Sequence, residues 1–151
     1  MNRFVTLIAA GALLGACAPA TAPSESGPVL SYTNAFVMAP IADRDMTMGG
    51  VSLSVAGGDV RLVGASSPSI GTIELHTMAM DNGTMKMRQV EGYDIASGET
   101  LALKRGSDHF MMFELGNDLV AGETVDITLD FDAGGTPMNL VIEADVRALG
   151  E

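Results

Sequence analysis

The chain has 151 residues, of which 18% are charged, a formal net charge of −11, one cysteine and two histidines. A single cysteine forbids an intramolecular disulfide, so the fold must hold through its own core, and the acidic balance argues against nucleic acid or anionic lipid headgroups as partners. No P-loop, G-x-S-x-G or H-E-x-x-H motif occurs and no histidine is spare to act as a base beside a nucleophile, so no enzyme is expected.

Met1-Asn2-Arg3 is a short basic start, and Phe4 to Leu14 is an apolar run too short to stay in a bilayer as a spanning helix. The run ends in Leu14-Gly15-Ala16-Cys17, which resembles a bacterial lipobox. Residues 1–16 are therefore expected to be a lipoprotein signal peptide, with lipid on the Cys17 sulfur and export to the periplasm. Loss of Arg3 with that segment takes the formal charge from −11 to −12. Residues 17–28 are rich in Ala, Pro, Ser and Thr, a composition that forms no core and reads as a tether. Residues 29–148 are long enough for one domain.

That domain reads as strands. Leu30 to Met38, Gly50 to Val55, Val60 to Ala65, Gly71 to Met80, Thr84 to Val90, Thr100 to Leu103, His109 to Leu115, Thr124 to Phe131 and Met138 to Val146 are short β-rich runs punctuated by Gly, Asp and Asn. This pattern predicts an all-β, Greek-key sandwich. One faint echo exists: the stretch beginning at Asp94 (DIASGETL) recurs at Asp118 (DLVAGETV). It is read as two similar loop-to-strand turns on one rim, not as a repeat architecture.

The chemistry concentrates between His76 and Met112, which hold both histidines and six of the 11 methionines. Imidazole and thioether, with no thiolate and no obvious carboxylate partner, select a soft monovalent ion such as Cu(I). Asn82-Gly83 is a strong hairpin signal. A two-residue loop there would set Met80 against Met85, Met78 against Met87 and His76 against Gln89. His76, Met78, Met80, Met85 and Met87 then share one face, with His76 diagonal to Met87. His109 and Met111 share one face of a later strand, while Asp108 points the other way and is not assigned as a ligand. Lys86 and Arg88 fall opposite the methionines, as solubilising charges. Any one methionine is more often core filler than ligand; the conjunction with histidine is what shifts the balance.

The spacing His76, ten residues, Met87, twenty-one residues, His109, one residue, Met111 matches the H-x10-M-x21-H-x-M signature of the periplasmic copper chaperone family PCuAC. The flanks Ile73-Glu74-Leu75-His76, Gly83-Thr84-Met85-Lys86-Met87-Arg88 and Val90-Glu91-Gly92 also resemble that family, and the likeness runs from about Val29 to Val146. Val51 and Ala96-Ser97-Gly98-Glu99 depart from its usual pattern without touching a ligand position. The resemblance implies a cupredoxin-like fold that binds Cu(I) through His76, Met87, His109 and Met111. It further implies, as partner, a copper-accepting protein of cytochrome oxidase or its assembly factors. With Cys17, the sole cysteine, expected to carry lipid, no thiolate remains for a blue-copper centre, so such a fold should carry copper and not electrons. Two other readings stay open. One is a copper-storage lipoprotein that also uses Met46, Met48, Met78, Met80, Met85 and Met138; the other is a structural β-sandwich lipoprotein without metal.

Overall fold

The computed structural model describes residues 27–41, 44–116 and 119–150. The signal peptide, Cys17 and nearly all of the tether lie outside the described residues. Ten strands and no helix are found among those described: β1 (Val29–Met38), β2 (Met46–Ala56), β3 (Val60–Ser66), β4 (Ile70–Asp81), β5 (Thr84–Gln89), β6 (Tyr93–Ile95), β7 (Thr100–Leu103), β8 (His109–Leu115), β9 (Thr124–Ala133) and β10 (Thr136–Arg147). The expected all-β class holds, and β7 and β8 have the expected bounds.

The strands follow one hydrogen-bonded path, β5-β4-β8-β2-β1-β10-β9-β3-β6, with β7 beside β2. Leu75 of β4 and Ile95 of β6 stand near opposite ends of that path, yet both belong to one contiguous core with Phe110, Phe131 and Leu53. The path therefore curls over itself, and its inner face is the core. Two-residue alternation decides which side chains reach it: Val125, Ile127, Leu129 and Phe131 of β9 are buried, while Thr124, Asp126 and Asp132 are exposed.

Two departures from expectation have physical causes. β2 begins at Met46, four residues before the expected Gly50, because Gly49-Gly50 is not a break but a close crossing. A Cβ on Gly49 would lie 2.7 Å from the Phe36 carbonyl oxygen and 2.8 Å from the Met112 methyl. Here β2 changes neighbours, pairing β8 over Met46–Gly49 and β7 over Val51–Ser54. The second departure is β6, whose three residues are too few to show any period and whose strand partner is β3.

The echoed turns are alike in detail. Gly98 and Gly122 both have positive φ. Gly98 N–H donates to the Val55 carbonyl and Val55 N–H to that of Glu99; Gly122 donates to Val146 and Val146 to Glu123 in the same pattern. They are not on one rim, however. Val55 is opposite Leu30 at the start of β1 and Val146 is beside Val37 at its end, so the turns clasp opposite ends of the fold. Asp118, the first residue of the second echo, is outside the described residues.

Candidate metal centre

The β4–β5 hairpin closes as a two-residue loop. Asp81 and Thr84 are its last pair, and Asn82 (φ 50°) and Gly83 (φ 80°) both take the left-handed conformation that a type I′ turn requires. The register follows: Met80 faces Met85, Met78 faces Met87 and His76 faces Gln89. His76 and Met87 are thus diagonal neighbours on one face.

On its other side β4 pairs β8, and there His76 stands directly opposite His109. Their ring centroids are 6.0 Å apart, with the planes tilted by 49°. One step further, Glu74 faces Met111, which in turn faces Met48 across β2. The outer face of these strands therefore carries two adjacent rows, one of imidazoles and one of Glu74, Met111 and Met48. The opposite face carries Leu75, Phe110 and Met112 into the core. Met87, His109 and Met111 line one cavity of about 230 Å³, together with Met38, Met46 and Met48. His76 adjoins it through His109 and Met87.

Each imidazole has one nitrogen occupied. His109 is 3% exposed, and its Nδ1 lies 2.7 Å from the Ser107 carbonyl oxygen, an acceptor only. Nδ1 must carry the proton, leaving Nε2 with the free lone pair. His76 has the reverse arrangement: Nε2 is 2.8 Å from a Glu74 carboxylate oxygen, and Nδ1 is buried without a hydrogen-bond partner. Glu74 is thus the carboxylate partner that the sequence reading did not assign. It was available at the i−2 position, where strand alternation puts it on the same face as His76. A buried lone pair with no donor is costly unless something takes it. The two histidines therefore offer a cation one free nitrogen each.

Behind the ligand face, the neighbouring residues fix the strands. Thr77 Oγ1 donates to Asp108 Oδ1 at 2.6 Å, which keeps Asp108 turned away from the imidazoles as expected. Tyr93 donates its hydroxyl to the His76 carbonyl at 2.7 Å. Burial, and then the Asp108 carboxylate, hold that phenol well above its ordinary range. Lys86 and Arg88 are turned to the face opposite the methionines, where both bond the Asp81 carboxylate, at 2.8 and 3.1 Å. Met138 belongs elsewhere, on β10 opposite Phe131, and does not join the other methionines.

The chain as a whole is similar to several known proteins. Residues 30–141 match the family described as "Putative lipoprotein LpqE-like". "Putative lipoprotein Lxx21020" of Leifsonia xyli subsp. xyli is 30% identical over 79% of this chain and 72% of its own length. Among solved structures, Cu(I)-DR1885 from Deinococcus radiodurans is 30% identical, covering 87% of this chain and 85% of its own, with a TM-score of 0.57. Apo-DR1885 is 28% identical over 100% and 99% of the two chains, with a TM-score of 0.60. The copper-bound PCuAC domain of PmoF2 superposes with a TM-score of 0.63 over 79% of this chain and 92% of its own, at 16% identity.

Proposed function

The chain belongs to the LpqE-like family and has the fold of PCuAC domains, and on that premise we propose that it is a Cu(I) carrier of the cell envelope. The ion, as cargo, would be held by His76, Met87, His109 and Met111. The observation that carries this reading is the pair of opposed histidines, each with one free nitrogen, beside a cavity whose lining includes five methionines. Nitrogen would come from His76 Nδ1 and His109 Nε2, and soft sulfur from Met87 and Met111.

Each residue contributes a distinct property. Thioethers favour Cu(I) over hard cations and, unlike thiolates, cannot be lost to disulfide formation in an oxidising compartment. Ser107 and Glu74 fix the ring orientations of the two histidines, the role that outer hydrogen bonds commonly play around metal ligands. Met87, on an exposed strand and 47% exposed, is the ligand nearest to solvent. It is the natural place for the ion to enter and leave. His109, at the buried side, holds the inner position.

The lipobox-like Cys17 and the lipoprotein naming of the relatives support tethering to a membrane on the periplasmic side. The family resemblance supports delivery to cytochrome oxidase or its assembly factors. The acidic surface suits a basic acceptor patch.

Anaerobic loading with Cu(I), followed by competition against a Cu(I) chelator, tests the carrier reading directly. Wild-type protein should retain copper, and His109→Ala and Met111→Leu should each lose at least about tenfold in affinity, or 1.4 kcal/mol. Equal retention by wild type and both variants would remove these residues from the site.

A further inference from the structure

The β4–β5 ribbon carries three more thioethers, and packing does not account for them. Methionine fills gaps in cores, yet Met80 is 68% exposed, Met85 is 51% exposed and Met78 is half-buried. All three share the face of Met87. They form two rungs, Met78 opposite Met87 and Met80 opposite Met85. Directly opposed side chains on such a ribbon have Cβ atoms about 4.5–5.5 Å apart, well within the joint reach of two methionines. The basic residues of the ribbon, Lys86 and Arg88, point to its other face and are tied to Asp81. Between His76 and the hairpin tip, the face is thioether alone.

We propose that Met78, Met80 and Met85 form a second, weaker Cu(I) site that hands the ion to the four-ligand site by way of Met87. Three neutral sulfurs suffice for a soft monovalent ion but lack the stronger imidazole donors, so this site should be filled second at equilibrium. Transfer is ligand exchange without redox change: the bonds to Met80 and Met85 break as that to Met87 forms, and the bond to Met78 breaks as those to the histidines and Met111 form. Met87 connects the two sites because it is opposite Met78 and diagonal to His76. The hand-over rests on the carrier reading, whereas the ribbon site itself can stand or fall separately.

The full-length protein, labelled with 13C-methyl methionine, is titrated anaerobically with Cu(I) alone, and its methionine methyl resonances are followed. Past the first equivalent, the methyls of Met78, Met80 and Met85 should shift. The Met78→Leu/Met80→Leu/Met85→Leu variant keeps the apolar surface but removes the sulfur. It should bind one equivalent fewer and load its remaining site several-fold more slowly. A His109→Ala/Met111→Leu variant separates the two ideas. If Cu(I) still shifts the three ribbon methyls in that protein, the second site exists whatever the first one does. Ribbon methyls that stay still in both wild type and that variant would overturn the proposal, as would a triple variant with wild-type stoichiometry. In those cases the exposed methionines are an apolar surface only.

Discussion

Thr77 and Asp108 are joined by a 2.6 Å hydrogen bond across β4 and β8, immediately beside the pair His76 and His109. The bond lies on the reverse face and holds the register in which the imidazoles oppose each other. A slip of one residue would turn one histidine to the core side. Thr77→Val keeps the shape and deletes the donor, so it should cost roughly 1–2 kcal/mol in urea unfolding, as for a bond to a charged acceptor that is partly solvated. Cu(I) affinity should fall with it, although Thr77 touches no ion. Wild-type affinity in a well-folded Thr77→Val protein would show that the register is fixed by other contacts.

Acid should weaken copper binding through the histidines only. An imidazole must be neutral to ligate, whereas a thioether has no competing proton. With two such ligands, apparent affinity should drop ever more steeply as pH falls, approaching about two decades per unit once both protons compete. Flat affinity between pH 8 and 5 would exclude histidine ligation.

Oxidation probes the sulfurs by their exposure. Peroxide should convert Met80, Met85 and Met87 to sulfoxides well before Met112, which is fully buried. Cu(I) retention should decline in step with modification of Met87, read by peptide mass spectrometry. Full retention after verified oxidation of both Met87 and Met111 would exclude the thioethers as ligands.

Tyr93 predicts an alkaline limit to stability. Its phenol is held above the ordinary value of 10.0 in the folded chain by burial and by Asp108. Below pH 10 both folded and unfolded states keep the proton, and the stabilising contribution is complete. Above it the unfolded state ionises first, so stability should fall as pH rises towards the raised folded value. In a Tyr32→Phe background, absorbance at 295 nm should report Tyr93 ionising late and together with unfolding. Tyr93→Phe should flatten that part of the stability curve. Early ionisation of Tyr93 in the folded protein would contradict its part-buried bond to the His76 carbonyl.

Cys17 offers a test of location. Replacing it with Ser should abolish acylation and shift the protein from the membrane fraction or stall its export. Intact mass of wild type should show the lipid; an unlipidated soluble wild type would refute the anchor.

Much of the candidate site was legible because it is local. The Asn82-Gly83 turn and two-residue alternation together determine which methionines face one another, and the hairpin has that register. The opposition of His76 and His109 was not legible in the same way. It depends on pairing of strands joined by a long excursion through β5, β6 and β7, and no short-range rule specifies it. The Glu74–His76 contact is not legible from the spacing of sulfur and imidazole, because a carboxylate at i−2 on a strand has the pattern of an ordinary surface residue. Gly49-Gly50 misled for a different reason: glycine usually interrupts a strand, but here it admits a close approach of neighbouring backbone. The echoed turns are alike as their sequences imply, while their positions depend on where β2 and β10 end.

β5 pairs only with β4 and ends the strand path, and all six of its residues are exposed. Such a border has unpaired amides and carbonyls that could template the addition of another chain, and its methionines add an adhesive surface. Lys86 and Arg88 alternate with those methionines along the same strand. A second copy aligning here in register would stack like charges against one another. The two basic residues are placed as gatekeepers are, against fibril-like self-association of a sulfur-rich ribbon that stays open to solvent.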